Sequence, residues 1–317
     1  MKKYDLVALG EMLIDFTAQG VNAEGQALFA RNPGGAPANV AAAAAKLGLR
    51  TAFIGKAGDD MHGRFLKRTL ADCGVDGCGF LLTKEYFTTL AFVNVRPGGE
   101  REFSFARTHG ADKMLTPGEL PGDILRDTKL LLVGSVSLTE EPARSATKEA
   151  VRIAKEAGAV ISYDPNYRAP LWKDEAQATE QMRSLIPFAD VMKLSDEETV
   201  LLTGEEAPEK AADVLIGQGV KLVSVTLGAR GAYTRTVKDG VLVPGVPCAA
   251  VDATGAGDAF FGAFLSRLLR SGRRPEEIGV KEARAFTAFA NAAASLCCEK
   301  YGAIPALPTE EQVLGKF

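Results

Sequence analysis

A glycine-rich segment near the end of the chain carries a pattern that can bind and transfer an anionic group. Gly255, Ala256 and Gly257 have little or no side chain, so their backbone N–H groups can approach a ligand closely. The apolar pattern that follows predicts a helix, whose first N–H groups and positive dipole end favour an anion. Asp258 adds a carboxylate that could deprotonate a hydroxyl attacking a phosphate. The same acid could instead only complement the helix dipole, and the segment alone leaves both interpretations open.

A second glycine pair lies near the start of the chain. Gly34 and Gly35 permit close backbone approach, and Pro37 suits the first turn of a following helix. Asn39 would project from that turn with an amide that can both donate and accept, as a sugar hydroxyl requires. The segment therefore predicts a hydroxyl-binding site, with ordinary helix capping in a loop as the alternative.

Short apolar segments alternate with amphipathic ones along most of the chain. The predicted strands are Asp5–Leu9, Thr51–Ile54, Leu130–Val133, Ala159–Tyr163, Val191–Leu194 and Leu222–Thr226. The predicted helices between them include Ala38–Leu47, Arg144–Ala157 and Ala207–Gly217. This order indicates an α/β fold with a mostly parallel central sheet and helices on both faces. Ligands of such sheets bind at the carboxyl ends of the strands.

Two regions depart from that order. Thr89–Val95 and Arg101–Ala106 alternate their side chains around Pro97-Gly98-Gly99, which predicts a hairpin. Met12–Phe16 and Ala27–Ala30 could pair with it. The expected result is a small antiparallel β lid, set off from the main body.

The chain is thus predicted to be a single domain, residues 1–317, with the lid inserted at about residues 12–31 and 88–110. The lid hairpin could pair with its twin from another chain and give a homodimer, or it could belong to a monomer. A second hairpin is predicted over Tyr233–Val243, turning at Lys238-Asp239-Gly240.

Composition excludes several classes of protein. The 317 residues are 46% apolar and 24% charged, with a formal charge of −3, so no basic surface for nucleic acid or anionic membrane is indicated. Early acids such as Asp5 and Glu11 argue against a signal peptide, and no apolar run approaches the length of a membrane span, so a cytoplasmic protein is expected.

Other enzyme designs are also disfavoured. The five cysteines form no C-x-x-C pair, which argues against zinc ligation and a disulfide framework. With two histidines and no G-x-S-x-G, a Ser-His-Asp hydrolase is hard to assemble. There is no Walker A sequence, so any nucleotide must be held by another design.

The two glycine segments together resemble a known signature pair. Gly34–Val40 (GGAPANV) and Asp252–Asp258 (DATGAGD) resemble, in order, the signatures of the ribokinase-like (PfkB) carbohydrate kinases. Further segments resemble the fructokinases of that family: Gly10–Phe16, Ala52–Lys56, Ser162–Arg168, Asp190–Glu198 and Val225–Gly228. The resemblance covers about residues 4 to 310. It implies a ribokinase-like fold and transfer of the γ-phosphoryl group of ATP, with Mg²⁺, to a primary hydroxyl of a sugar, fructose being the first choice.

The resemblance also implies roles for individual residues around the sugar. Asp258 corresponds to the base, and Gly255, Ala256 and Gly257 to the anion hole for the transferring phosphoryl group. The sugar contacts would be Asp15, Gly34, Gly35 and Asn39. Arg107, at the end of the lid hairpin, could reach over the sugar, and Arg168 could hold a substrate oxygen or a phosphate. A charge at a strand end and a structural salt bridge are the respective alternatives.

On the nucleotide side, the resemblance points to Lys193, Glu198, Thr226, Gly228, Gly231 and Asn291. Glu198 would influence magnesium and phosphate through ordered water, although Ser195 stands where the family pattern has asparagine. A monovalent cation site, for K⁺, would be formed by Asp252 and Thr254 with backbone carbonyls near Cys297, Lys300, Gly302 and Ala306.

Several alternatives remain open on the sequence. A kinase for 2-keto-3-deoxygluconate would need a cation for the substrate carboxylate, and Arg107 or Arg168 could provide it. A kinase for a ribosylated purine precursor or a nucleoside, and a catalytically silent sugar sensor, would use the same fold. A dinucleotide-binding dehydrogenase is disfavoured because no G-x-G-x-x-G follows the first strand.

Overall fold

A computed structural model describes residues 2–95 and 101–317 of the chain. Its strands, in chain order, are β1 Tyr4–Leu9, β2 Leu13–Val21, β3 Ala27–Gly34, β4 Thr51–Gly58, β5 Val75–Thr83, β6 Leu90–Val95, β7 Arg101–Ala106, β8 Thr128–Gly134, β9 Val160–Asp164, β10 Val191–Ser195, β11 Leu222–Thr226, β12 Ala232–Thr236 and β13 Gly240–Val243. Its α-helices are α1 Ala36–Lys46, α2 Met61–Asp72, α3 Gly122–Arg126, α4 Ala143–Glu156, α5 Glu175–Arg183, α6 Asp196–Thr203, α7 Pro208–Gly217, α8 Ala256–Ser271, α9 Val280–Cys298 and α10 Glu310–Leu314.

Nine of these strands form the main sheet, in the order β13-β12-β11-β10-β9-β8-β1-β4-β5. The seven from β11 to β5 pair in parallel, and β12 and β13 continue the sheet as an antiparallel hairpin. The predicted α/β fold is confirmed, as is the hairpin over Tyr233–Val243. All six predicted strands are present, and Leu222–Thr226 has the predicted bounds.

The second sheet has four strands in the order β3-β2-β6-β7. The pairs β2–β3 and β6–β7 are antiparallel, as predicted, whereas β2 and β6 run parallel in the middle of the sheet. Along the chain β2 follows β1 and β6 follows β5, so each of the two strands comes after a strand of the main sheet. The predicted turn at Pro97-Gly98-Gly99 lies outside the described residues.

Two apolar layers cover the main sheet. On one face, α1, α8 and α9 pack around fully buried phenylalanines such as Phe261 and Phe264. On the other face, α4, α5 and α7 pack against alternate strand residues such as Leu131 and Val223. The two-sided burial explains why the strands are continuous apolar runs rather than alternating ones. In the described part of the chain, no helix has the length and apolar character needed to cross a membrane.

The contact between α1 and α8 is unusually close because both helices present small residues. A Cβ atom added at Gly262 would lie 2.6 Å from the Cβ of Ala43 and 3.1 Å from the carbonyl oxygen of Val40. A Cβ–Cβ contact of 2.6 Å is essentially never found in proteins, so any larger residue at position 262 would require the helices to shift. The close packing sets the first turns of α1 and α8 side by side.

We therefore expect Gly262→Ala to destabilise the protein even though alanine favours a helix. Overpacking of this kind costs about 1–3 kcal/mol, which exceeds the gain in helix propensity of about 1 kcal/mol. Gly217, exposed at the end of α7 with open space around its Cα, is the matched control. Gly217→Ala should leave the free energy of unfolding unchanged or raise it. Urea denaturation of both variants measures the difference, and equal stabilities would contradict the packing argument.

Candidate functional site

Two helices begin at the carboxyl end of the main sheet, each directly after a glycine. Gly35 precedes α1 with φ 108°, and Gly255 precedes α8 with φ 79°. Both values lie in the region that favours glycine. A Cβ atom at Gly35 would lie 2.4 Å from the Glu11 carbonyl oxygen, and one at Gly255 would lie 2.6 Å from the Cβ of Ala303. Neither position tolerates a side chain, so two helix N-termini are held open toward the same space.

The predicted base and the predicted hydroxyl-binding amide meet in that space. The Nδ2 of Asn39 donates to Oδ2 of Asp258 over 2.7 Å, and both side chains are buried. Burial raises the pKa of the Asp258 carboxyl, while the Asn39 hydrogen bond and the charges of Lys193 and Arg168 act in the opposite direction. Asp258 is therefore a carboxylate made more basic by its surroundings and held in one orientation by Asn39.

A cavity of about 280 Å³ opens beside this pair. The predicted residues that line it are Asp15, Gly35, Asn39, Arg168, Lys193, Thr226, Thr254, Gly255, Gly257 and Asp258. The lining residues that sequence reasoning missed are Glu11, Leu13, Ala36, Phe105, Val136, Asn166, Leu171, Ser195 and Ala253. Polar groups from the first third, the middle and the end of the chain thus converge on one volume, as in a small-molecule site.

Asp15 depends on the glycine next to it. A Cβ atom at Gly34 would lie 2.0 Å from Oδ2 of Asp15, so a larger residue at that position would displace the carboxylate. Burial raises the pKa of Asp15 to about 6, and the neighbouring charges of Asp258 and Asp252 add to the shift while Arg168 opposes it. Gly34 therefore contributes to the cavity by making room for Asp15.

Glu11 is an acidic residue of the cavity to which the sequence assigned no role at the site. Its Oε1 accepts a hydrogen bond from the backbone N–H of Ala36 over 3.2 Å, in the first turn of α1. Burial raises the pKa of Glu11 to about 7. Its position in the Gly10–Phe16 segment, four residues before Asp15, was the available signal.

Arg107, which the sequence suggested could reach over the sugar, is buried and is not among the residues that line the cavity. Its Nε donates to Oδ2 of Asp112 over 2.8 Å, its Nη1 to Oγ1 of Thr139 over 2.8 Å and its Nη2 to the carbonyl oxygen of Val136 over 3.2 Å. The arginine and the aspartate are both buried. Arg107 is thus held by a buried ion pair, so the alternative of a solvated charge at a strand end is wrong.

Arg168 lies in the cavity as predicted, and it remains exposed. It follows Asn166, whose φ of 49° turns the chain just beyond the end of β9. Its positive charge opposes the rise that burial causes in the pKa of Asp15 and of Asp258. An exposed guanidinium that faces two carboxylates can hold a substrate oxygen between them.

A second cavity of about 350 Å³ adjoins the first. Its mostly apolar lining includes the predicted residues Thr226, Gly228, Gly231, Gly257 and Asn291, and also Cys248 and Cys298, which were not predicted to face it. Thr226, Ala253 and Gly257 line both cavities. Asn291 donates through Nδ2 to the carbonyl oxygens of Val243 and Pro244, at 3.1 and 2.9 Å. It therefore fixes the end of β13 at the edge of the cavity.

A buried ion pair stands where the two cavities join. The Nζ of Lys193 lies 3.1 and 3.2 Å from the carboxylate oxygens of Asp164. It also lies 3.2 Å from the position that a Cβ of Gly257 would occupy, at the start of α8. Burial raises the pKa of Asp164 to about 7, and Lys193 opposes that shift. The ammonium is thus close to the N–H groups of the predicted anion hole.

Three hydrogen bonds hold the carboxylate of Glu198 in place. Its Oε2 accepts from the backbone N–H and the hydroxyl of Ser195, which caps α6, and its Oε1 accepts from the backbone N–H of Tyr167 over 2.6 Å. It ties α6 to the loop that carries Arg168. The predicted influence on magnesium would have to act from this fixed position.

The predicted cation segment forms an ordered loop around Asp252. One carboxylate oxygen accepts from the backbone N–H and the hydroxyl of Thr254, and the other accepts from the backbone N–H of Gly302 over 2.9 Å. Cys297 is buried next to it and donates through Sγ to the Thr254 carbonyl oxygen. The loop joins the predicted residues near Cys297 and Gly302 to the start of α8, while Lys300 and Ala306 flank it.

Comparisons with known proteins agree with this geometry. A family model described as pfkB family carbohydrate kinase matches residues 3–310. Fructokinase-2 of Solanum habrochaites is 44% identical over 313 residues, covering 98% of this chain and 94% of that protein. A crystal structure of fructokinase with bound ATP from Xylella fastidiosa has a TM-score of 0.92 at 31% identity, covering 100% of this chain and 98% of that one.

A fructokinase double mutant from Vibrio cholerae O395, solved in a fructose, ADP and potassium ion bound form, has a TM-score of 0.88 at 32% identity, with 99% of each chain covered. The matches to sequence and structure extend over nearly the whole chain and include both glycine segments. The chain therefore belongs to the pfkB family of carbohydrate kinases.

Proposed function

We propose that this protein is an ATP-dependent fructokinase, which converts D-fructose and ATP to fructose 6-phosphate and ADP. The observation that carries the proposal is the Asn39–Asp258 hydrogen bond at the point where a polar cavity meets a mostly apolar one. The polar cavity has the size and groups for a sugar, and the apolar one suits an adenine base. The fructokinases at 44% identity and the related structures with bound fructose, ATP and ADP support the choice of both substrates.

In the sugar cavity, Asp15, Asn39 and the backbone at Gly35 would bind hydroxyl groups, with Arg168 closing the open side. Asp258 would then accept the proton from the primary hydroxyl as its oxygen attacks the γ-phosphorus. The raised basicity of a buried carboxylate helps this transfer, and the bond from Asn39 keeps the acceptor oxygen in place. Fixing the two reacting groups at short range supplies much of the rate enhancement.

The N–H groups at Gly255, Ala256 and Gly257 would receive the charge that develops on the transferring phosphoryl group. They lie at the N-terminus of a 16-residue helix, where the dipole favours an anion. Lys193 adds a positive charge at the same position. Magnesium bound to ATP would supply charge neutralisation of the β- and γ-phosphates. Among the described residues, no cluster of three or more His, Cys, Asp or Glu could hold a metal alone, which fits an ion that arrives on the nucleotide.

A bound potassium ion is part of the same proposal. Asp252 and the carbonyls near Cys297 and Gly302 surround the loop that enters α8, and a related fructokinase has been solved with potassium. Carbonyl and carboxylate oxygens suit such an ion. Held there, the ion would order the anion-hole loop without contacting the sugar.

Replacing the base provides the sharpest test. We expect Asp258→Asn to lower kcat by about 10²–10⁴-fold, because the isosteric amide keeps the volume but cannot accept the proton. The melting temperature should not fall, since the variant removes a buried charge. Asp123→Asn, in the first turn of α3 on the surface, is the matched control and should change kcat less than about twofold. Coupled measurement of ADP release gives both values, and a folded Asp258→Asn enzyme with substantial turnover would exclude Asp258 as the base.

The raised pKa values predict how activity depends on pH. The ratio kcat/KM for fructose reports on the free enzyme, so it should fall as the pH drops through about 6, where Asp15 takes up a proton. Protonation of Asp258, whose pKa is also raised, adds to the loss.

The free energy of unfolding is expected to change with pH in the opposite direction to activity between pH 7 and pH 5. A carboxyl whose pKa is higher in the folded state binds its proton before the unfolded chain does, so these groups favour folding as the pH falls from 7 to 5. The melting temperature should therefore hold while activity declines. A flat kcat/KM profile down to pH 5 would contradict the proposed roles of Asp15 and Asp258.

We also propose that the protein is a cytoplasmic homodimer joined through the smaller sheet. Phe29 and Phe92 lie on one face of that sheet, 44% and 38% exposed, with their rings in edge contact at 5.9 Å. Exposed aromatic pairs of this kind are typical of interaction surfaces, and a second copy of the sheet offers the same apolar pair.

Sedimentation velocity tests the dimer. Phe29→Asp should convert a dimer to a monomer, because a charge would be buried in the interface without a partner. Phe188→Asp, at an equally exposed phenylalanine on the main body, is the control and should stay dimeric. A monomeric unmodified protein at micromolar concentration would rule out this part of the proposal.

A further inference from the structure

The Arg107–Asp112 ion pair removes a cation from the wall of the sugar cavity. The side chains of Arg107 and Asp112 are only 6% and 2% exposed, and three of the guanidinium donors already have partners in Asp112, Thr139 and Val136. A charge that is paired and hydrogen-bonded at this depth has little tendency to leave its partner. In this arrangement the positive charge faces Asp112 and not the cavity.

Asp112 is itself fixed from a second side. Its Oδ1 accepts from Oγ1 of Thr89 over 2.5 Å, just before β6 begins. The backbone packs against the pair as well, because a Cβ atom at Gly110 would lie 2.7 Å from Oδ1 of Asp112 and 3.0 Å from Cγ of Arg107. Asp112 thus provides a rigid anchor for the arginine.

The pair lies one layer behind the cavity. Val136 accepts from Nη2 of Arg107 and also lines the cavity, as does Phe105, two residues before the arginine in the chain. Glu11 lines the cavity and is close enough to feel both charges: Asp112 raises its pKa and Arg107 lowers it. The guanidinium is therefore separated from the cavity by the lining residue Val136, and Asp112 supplies the only charged partner among its three hydrogen-bond acceptors in the described residues.

The charges that do line the cavity are mainly negative. Glu11, Asp15 and Asp258 contribute carboxyl groups, whereas the ammonium of Lys193 is paired with Asp164 and Arg168 lies at the exposed side of the cavity. A sugar acid brings a further carboxylate and needs a cation beside it, whereas a neutral sugar needs only hydrogen bonds. The position of Arg107 therefore bears directly on which substrates the cavity accepts.

We propose that Asp112 is a specificity-determining residue, which holds Arg107 away from the sugar cavity and thereby selects neutral sugars over sugar acids. The inference rests on the proposed sugar kinase activity and names a determinant of its substrate class. Asp112 itself contacts no substrate. Its effect is to decide whether a second arginine is available beside Arg168.

The test compares one neutral and one anionic six-carbon substrate, fructose and 2-keto-3-deoxygluconate. In Asp112→Asn, the countercharge is gone and Arg107 is released. We expect the ratio of kcat/KM for the keto acid to kcat/KM for fructose to rise at least tenfold above the wild-type ratio. A folded Asp112→Asn enzyme with an unchanged ratio would overturn the proposal.

A second variant separates release of the arginine from general loosening of the site. Asp112→Asn combined with Arg107→Leu lacks the aspartate charge and the cation together. Its ratio should return to the wild-type value, because nothing is left to bind the substrate carboxylate. A raised ratio that persists in the double variant would show that the change does not act through Arg107, and the proposal would fail.

A structural measurement keeps the proposal testable even if Asp112→Asn does not fold. In a crystal of the unaltered protein with fructose and a non-hydrolysable ATP analogue, Nε of Arg107 should remain on Asp112. A guanidinium found on a fructose oxygen would overturn the inference. If the unaltered enzyme phosphorylates another neutral sugar and not fructose, the proposed substrate is wrong, but the ratio can be measured with that sugar and the role of Asp112 is still tested.

Discussion

The site depends on the close packing of α1 against α8. Gly262 lets the two helices approach until their first turns lie side by side, which brings Asn39 within 2.7 Å of Asp258. The same approach points two helix N-termini into one volume. Their dipoles favour negative charge, and that volume must hold a carboxylate and a transferring phosphoryl group together. The contact between α1 and α8 thus determines the orientation of Asp258 and the electrostatic potential around it.

This arrangement destabilises the charged form of the buried carboxyl groups. Burial raises the pKa of Glu11, Asp15, Asp164 and Asp258, so each carboxylate is less stable here than in water. Partial compensation comes from specific partners: the amide of Asn39, the ammonium of Lys193 and the N–H of Ala36. The pattern is expected where a group must be reactive, since full solvation would stabilise the charge and weaken the base.

Much of this was predictable from local pattern. The strands of the main sheet are apolar runs that end at glycine or aspartate, and their type and order follow from that pattern. The glycines at positions 35 and 255 precede helices that begin where proline or small residues allow it. The side chains one turn into those helices, Asn39 and Asp258, were predicted to act at the site and lie together in it. Such features are local because the backbone at a helix start determines where the next few side chains point.

What could not be predicted is which acidic residue pairs with a given cation, even when the two are only a few residues apart in the chain. Arg107 could have faced the sugar, solvent or another acid, and the chain offers 40 acidic residues to choose from. The choice of Asp112 depends on how β6, β7 and the loop after β7 pack, down to the missing side chain at Gly110. Glu11 is a similar case, since its burial follows from the approach of α1 to the end of β1. Periodicity predicts which elements form, whereas electrostatic pairing is decided by tertiary contacts a few ångströms across. For an enzyme built on a shared fold, that second level is where substrate preference is set.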